Sequence, residues 1–447
     1  GMLYPFSWIF FLLPAAKAYG WYTILQLWLA GASMYIFGRM LHMRHGSAAV
    51  AGLSYQGSGF LLASAAVFPM IIGAAAWLPF LLAALEKIIV SAVERSNKTL
   101  LWMALGAIAL GLQILSGHIE MTYYTLLIMA LYALWRLISI ALKARRSEFV
   151  EAQARDHWYQ TALRPIPWLI GLVAVGLMLG ALQLIPFYEV GQLNFREGAA
   201  SFAEVRSWAF PWRRIVTLVL PNFYGNPAHH DYLNVFTGQR MGFTTNSYGE
   251  LNPQGAYSSA WGLKNYVEGG IYLAILPLFL LLLGAVGGWR SGEKGPRRSQ
   301  TLFFVLLCIF SLAFIFGTPL YGLLYYGLPF INQLHTPFRW VWPLSLGVAV
   351  LAGFGVDYLL RYRSADQPQK SRLDLLHILV AGAAVSGAAI IFMLLITWLS
   401  FDGIESFVDR VFHGLALADT AFADAQAFYS YEFWQFLILG LSLLASA

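Results

Sequence analysis

Charged residues are scarce in this sequence. Only 11% of the 447 residues are Asp, Glu, Lys or Arg, and 59% are hydrophobic, whereas a soluble protein carries about 25% charged residues. A bilayer core of roughly 30 Å requires about 20 mostly apolar residues per helix, and apolar runs of this kind recur along almost the entire chain. We therefore predict a multi-spanning membrane protein without a soluble domain of ordinary size.

Cysteine is almost absent, which excludes an intramolecular disulfide: the single cysteine, Cys308, lies inside an apolar run. The net charge of +6 does not indicate a nucleic-acid partner, because the basic residues fall between apolar runs, as the positive-inside rule places them. The sequence also contains no Walker-type loop, GxSxG elbow or CxxC pair.

Hydropathy predicts an all-α, polytopic transmembrane bundle of about eleven spans. The predicted spans cover residues 19–41, 46–65, 71–90, 100–115, 121–142, 166–187, 271–289, 301–316, 340–360, 377–399 and 433–447. They divide the chain into an N-terminal transmembrane region (1–187), one long extracytoplasmic loop (188–269) and a C-terminal transmembrane region (270–447). One side holds 19 of the 28 basic residues, 18 of them in short loops and Arg136 near a helix end, so that side is predicted to be cytoplasmic.

Polar residues at the outer ends of the predicted spans are the candidates for function. His118 and Glu120 interrupt the apolar stretch ILSGHIEMTYYTLL; they form either a solvated turn or a wall of an outer cavity, where a carboxylate acts as a general base. Arg339 stands at the outer end of another span. It is either a cation that reaches lipid headgroups or a guanidinium that binds a phosphate through two parallel hydrogen bonds.

The segment AHHD, residues 228–231, raises the question of a metal site. Adjacent histidines point in different directions and lack a spaced set of partner ligands, which favours a polar loop. We expect no cofactor, although a divalent metal is not excluded.

Several motifs, in their order along the chain, resemble the bacterial YfhO membrane protein family. They include AAAWLPFLLAALEKI, LQILSGHIEMTYYTLL, LGALQLIPFYEV, LPNFYG and TPLYGLLYYGLPFINQLHTPFRW, and the likeness extends from about Pro5 to Leu360. The resemblance implies a GT-C glycosyltransferase fold in the bacterial plasma membrane. The Gly-His pair of the family falls on Gly117 and His118, its Pro-x-x-Gly loop on PNFYG, and its Pro-x-Arg element on Pro337 and Arg339.

The resemblance implies transfer of a sugar from a polyprenyl-phosphate donor to a glycan or teichoic-acid-like acceptor of the cell envelope. His118 and Glu120 are the predicted catalytic residues. Predicted substrate contacts are Arg339, His335, Tyr326, Glu189, Arg196, Asn222 and Tyr224. The expected partners are the bilayer and the lipid-linked sugar, and no nucleic acid.

One departure from the family pattern concerns the catalytic acid. GT-C enzymes generally have an essential acidic residue in the outer loop after their first helix, but no Asp or Glu precedes Glu86 here. The sequence is therefore expected to be a fragment that lacks the first helix and outer loop and is also truncated at its end. A transporter or flippase of lipid-linked sugars, or a non-catalytic envelope assembly protein, is the alternative.

Overall fold

The computed structural model describes residues 1–148, 158–192, 200–243, 261, 266–267, 270–290, 296–331, 337–363, 375–415 and 418–447. The helices in chain order are α1 (Ile9–Leu12), α2 (Ala15–Met40), α3 (His45–Gln56), α4 (Gly59–Val67), α5 (Pro69–Ala75), α6 (Leu78–Val93), α7 (Lys98–Leu115), α8 (Ile119–Glu148), α9 (Trp158–Leu163), α10 (Ile166–Gln192), α11 (Phe202–Ser207), α12 (Ile275–Arg290), α13 (Pro296–Ile315), α14 (Gly322–Gly327), α15 (Val341–Arg363), α16 (Leu375–Leu399), α17 (Glu405–His413) and α18 (Ala425–Ser446). Short 3₁₀ turns include Pro5–Trp8, Trp212–Leu218, Pro319–Tyr321, Pro337–Trp340, Phe401–Gly403 and Ala418–Thr420.

Sheet structure in the described ranges is limited to one hairpin. Strands β1 (Asp231–Leu233) and β2 (Arg240–Gly242) pair antiparallel, with Tyr232 opposite Met241. The prediction of an all-α protein is thus confirmed for the described residues.

Seven helical segments in the described ranges are long and apolar enough to cross a membrane. They are Pro69–Val93, Lys98–Leu115, Ile119–Arg145, Tyr159–Gly191, Arg297–Ile315, Pro337–Leu360 and Leu375–Leu399, and Ile275–Trp289 is a shorter apolar helix. These segments support a helical, multi-pass membrane protein. The larger number of about eleven spans stays a prediction.

The predicted second span, residues 46–65, differs from the structure. Two helices occupy this region, because α3 ends at Gln56 and α4 begins at Gly59. The break falls on Gly57 and Ser58, where glycine disfavours a helix interior and a serine hydroxyl competes for backbone hydrogen bonds.

The chain divides into two compact units. The first contains Gly1–Gly57, Leu61–Ala209 and Leu280–Ser364, and the second contains Ser58–Phe60, Phe210–Phe279 and Ala365–Ala447. Each is described separately below.

Glycines allow close helix packing in the first unit. A Cβ atom on Gly111 of α7 would lie 2.8 Å from the Cβ of Leu179 in α10, and a Cβ atom on Gly180 would lie 2.6 Å from Ile114. Small residues at such contacts let helices approach closely in a membrane, where packing and not the hydrophobic effect drives association. The packing fixes α7, whose end carries the candidate turn.

Two buried carboxylates in the first unit have basic partners. Glu86 of α6 accepts hydrogen bonds from Arg136 Nε at 2.8 Å, Arg136 Nη2 at 2.5 Å and the hydroxyl of Tyr132 at 2.9 Å. Asp357 of α15 pairs with Arg297 and accepts a hydrogen bond from Ser47. Both carboxylates therefore cross-link helices.

Aromatic residues form the core of the second unit. The central cluster includes Trp261, whose ring lies 4.8 Å from that of Phe422 and 5.1 Å from that of Tyr431. Helices α16 and α18 pack through glycines, because a Cβ atom on Gly387 would lie 2.7 Å from the carbonyl oxygen of Gly440.

Candidate functional site

The turn between α7 and α8 consists of Ser116, Gly117 and His118. Gly117 has φ +96°, in the left-handed region that glycine enters without steric cost, and its N–H donates to the carbonyl of Ile114 at 3.0 Å. His118 then caps α8, because the N–H of Met121 donates to its Nδ1 at 3.3 Å. The tight turn places Glu120 in the first turn of α8, where the helix dipole favours a negative charge.

Arg339 contacts this turn from the 3₁₀ turn Pro337–Trp340, which leads into α15. Its Nε lies 3.6 Å from Glu120 Oε1, and the two side chains are only 8% and 17% exposed. The ring of Trp340 packs edge-on against Tyr124 of α8 at 5.9 Å. This aromatic contact holds the 3₁₀ turn against the helix that carries Glu120.

His118 is uncharged at neutral pH. Burial and the positive charge of Arg339 lower the pKa of His118 to about 4. Because Nδ1 accepts the N–H of Met121, we assign the imidazole proton to Nε2. This arrangement favours His118 as a hydrogen-bond donor that positions a ligand over His118 as a general base.

Tyr321 adds a second uncharged donor. It ends the 3₁₀ turn Pro319–Tyr321 and is buried. Burial, and to a lesser degree the charge of Glu120, raise the pKa of Tyr321. We call His118, Glu120, Tyr321 and Arg339 the Arg339 cluster.

The Arg339 cluster combines one cation, one carboxylate and two neutral hydrogen-bond donors. Arg339 Nε and Glu120 Oε1 are 3.6 Å apart, which is within ion-pair distance. A guanidinium can hold a phosphate through two parallel N–H groups, and a carboxylate can accept a proton from a hydroxyl. The cluster therefore fits an anionic ligand that also carries hydroxyl groups.

Two other predicted residues of the first unit lie away from this cluster. Tyr326 is 75% exposed, and its ring packs at 5.5 Å on Phe202. Glu189 is exposed near the end of α10. The structure does not bring either side chain to Glu120.

Asn222 belongs to the second unit and is occupied by protein contacts. Its Oδ1 accepts hydrogen bonds from Asn226 at 3.1 Å and Tyr266 at 2.9 Å, and its Nδ2 donates to Gln435 at 3.2 Å. The polar groups of the amide are therefore engaged in fixing the PNFYG loop to α18. This geometry favours a structural role over the predicted sugar contact.

Tyr224 of the same loop is partly buried. Its ring lies 5.8 Å from the guanidinium carbon of Arg214, and its carbonyl accepts the N–H of Trp261 at 2.9 Å. The predicted residues His335 and Arg196 lie outside the described residues, so their roles stay predictions.

Sequence reasoning missed one residue, Glu432 of α18. Both of its carboxylate oxygens are buried, and neither has a hydrogen-bond partner among the described residues. A signal was present, because Glu432 is the only charged residue of α18 and lies in the aromatic run FYSYEFWQF.

One histidine and the aspartate of AHHD have protein partners. His229 Nδ1 lies 2.9 Å from the hydroxyl of Tyr431, and Asp231 pairs with Arg240. In the part of the chain that the structure describes, no three His, Cys, Asp or Glu side chains come together as a candidate metal site.

Comparison with known proteins identifies no family for this chain. No protein-family model, curated protein or solved structure matches this chain.

Proposed function

We propose that this protein is a membrane glycosyltransferase of the GT-C type, related to the YfhO family. In this proposal it has about eleven spans in a bacterial plasma membrane and transfers a sugar from a polyprenyl-phosphate donor to a cell-envelope acceptor, such as a glycan or teichoic-acid-like polymer, on the outer face. The observation that carries the proposal is the meeting of the Arg339 guanidinium and the Glu120 carboxylate at 3.6 Å.

The proposed reaction is a displacement at the anomeric carbon. The bond from that carbon to the phosphate oxygen breaks while a bond to the acceptor oxygen forms, and Glu120 accepts the hydroxyl proton. Arg339 neutralises the charge that develops on the departing lipid phosphate. His118 and Tyr321 donate hydrogen bonds that orient the sugar or the phosphate.

The ion pair between Glu86 and Arg136 does not favour the alternative of a transporter. Such proteins bind substrates and ions near the bilayer midplane with groups that exchange partners. Glu86 is instead saturated by Arg136 and Tyr132. Its contacts are those of a structural cross-link.

Transfer of radiolabelled sugar from polyprenyl-phosphate donors, measured with the full-length protein in membrane vesicles, tests the proposal. Glu120→Gln keeps the size of the side chain but removes its charge, so it should lower the rate about tenfold, or about 1.4 kcal/mol of transition-state stabilisation. Glu94→Gln, at an exposed acid after α6, is the matched control and should transfer normally.

Protein amounts in the membrane should be equal for both variants. If the parental protein transfers no label from a panel of hexose and aminosugar donors, the proposal is wrong. Movement of a fluorescent lipid-linked sugar between leaflets would then support a flippase, and the absence of both activities would support an assembly protein.

A further inference from the structure

A large cavity lies within the second unit, and none of its lining residues belongs to the Arg339 cluster. Its volume is about 650 Å³, which falls in the range of small-molecule binding sites. The walls come from α16, α17 and α18, together with Phe223 of the PNFYG loop. The cavity is thus formed by three consecutive helices and one distant loop residue, and it can hold a drug-sized molecule.

Most of the cavity wall is apolar and much of it is aromatic. Six aromatic side chains line it: Phe223, Phe407, Phe428, Tyr429, Phe433 and Phe436. Of its three polar side chains, Thr397 and Tyr429 satisfy each other, because their hydroxyls are 2.8 Å apart. Only Glu432 is left to interact with an occupant.

Glu432 is the unusual feature of this wall. The residue is 5% exposed, and within the described ranges its carboxylate has neither a hydrogen-bond partner nor a basic side chain within 4 Å. Its titratable neighbours are the phenols of Tyr224 and Tyr431. An unpaired buried carboxylate is costly, so in the empty cavity Glu432 holds a proton.

We propose that this cavity binds a lipophilic organic cation, meaning an apolar body with one ammonium or phosphonium charge, and that Glu432 is its counter-ion. The apolar body fills the cavity, and the aromatic rings attract the cation through their faces. On binding, the carboxyl turns into the cavity and releases its proton to solvent, so that one positive charge replaces another.

Charge decides against the other classes of ligand. An anion with the same apolar body would meet the negative faces of the aromatic rings and no basic side chain among the lining residues, so it would gain less than a cation. A neutral molecule of the same shape would fill the volume but would leave the carboxyl oxygens without a charged partner. The inference does not depend on the proposed sugar transfer.

Equilibrium dialysis of the purified full-length protein in a neutral detergent tests the proposal. The probes are radiolabelled tetraphenylphosphonium and tetraphenylborate, which have nearly the same size and opposite charge. We expect saturable binding of the phosphonium and at least tenfold weaker binding of the borate. Glu432→Gln should weaken phosphonium binding at least tenfold, whereas Glu405→Gln, at an exposed acid of α17, should not change it.

A second pair of variants tests the place of binding. Met393 and Leu395 are both exposed residues of α16, but only Met393 lines the cavity. Met393→Trp should weaken phosphonium binding because the larger side chain takes up part of the cavity, and Leu395→Trp should leave it intact.

Three results would each overturn the proposal. They are the absence of saturable phosphonium binding, equal affinity of the parental protein for both probes, and unchanged phosphonium binding by folded Glu432→Gln. Should Glu432→Gln fail to fold, equal binding by the two tryptophan variants would contradict the proposal.

Discussion

The guanidinium of Arg339 and the carboxylate of Glu120 face each other at 3.6 Å, which joins the 3₁₀ turn before α15 to the first turn of α8. Each charge is mostly buried and lowers the cost of burying the other. A substitution of either residue therefore changes the electrostatics of its partner as well as its own contacts.

Arg339→Lys separates phosphate binding from membrane anchoring. An ammonium cannot reproduce the planar two-point contact of a guanidinium, so we expect sugar transfer by the full-length protein to fall at least tenfold. The measurement is transfer rate per amount of protein. Arg240→Lys, at an arginine whose side chain is 80% exposed, is the control, and near-normal transfer by Arg339→Lys would leave only a headgroup anchor.

The stability of the protein should depend on His118 in mildly acidic solution. The folded-state pKa of His118 is about 4, below the unfolded value of about 6.5, so the unfolded chain binds the proton more readily. Stability from this residue is complete above pH 6.5 and is lost as the pH falls toward 4. Thermal unfolding between pH 4.5 and 7.5 should show a smaller loss for His118→Asn, and parallel curves for the two proteins would contradict the expectation.

The Glu86–Arg136 pair should be a strong determinant of stability. Glu86→Gln leaves the buried Arg136 without its counter-charge, and breaking a buried pair in this way costs about 3–5 kcal/mol. The double variant Glu86→Gln/Arg136→Met should recover part of the loss. Thermal unfolding of the purified protein measures both, and no recovery in the double variant would argue against an electrostatic cause.

Cysteine labelling tests the predicted orientation. Cys308 is buried, and Cys308→Ala gives a background without reactive thiols. Asn97→Cys, between α6 and α7, should react only from the cytoplasm, and Tyr326→Cys, at a residue that is 75% exposed, only from outside. If both cysteines react from the same side, the predicted side of one of these two loops is wrong.

Hydropathy predicted the long helices well for a physical reason. Residues 100–115 and 166–187 were predicted as spans, and α7 (Lys98–Leu115) and α10 (Ile166–Gln192) begin within two residues of them. Apolar run length reflects the thickness of the bilayer. The break at Gly57 and Ser58 was missed because it depends on backbone preferences and not on apolarity.

The Arg339 cluster was only partly predictable. Basic-residue counts placed His118, Glu120 and Arg339 on the same predicted face. Their contact depends on the packing of helices far apart in sequence, which no local pattern reports. Glu432 was missed because the predicted last span began at the next residue, so the carboxyl fell outside every predicted apolar run.

The buried carboxyl of α18 has a consequence for biogenesis. An acidic residue within a helix opposes its transfer from the translocon into lipid by up to a few kcal/mol, and Gln435 adds a second polar side chain to α18. Helix α16 has a mean hydropathy of 2.5, the highest of the seven apolar segments, and it is synthesised first. The Gly387–Gly440 contact then offers α18 a protein surface instead of lipid, so we expect α18 to integrate as the second arm of a helical hairpin and not independently.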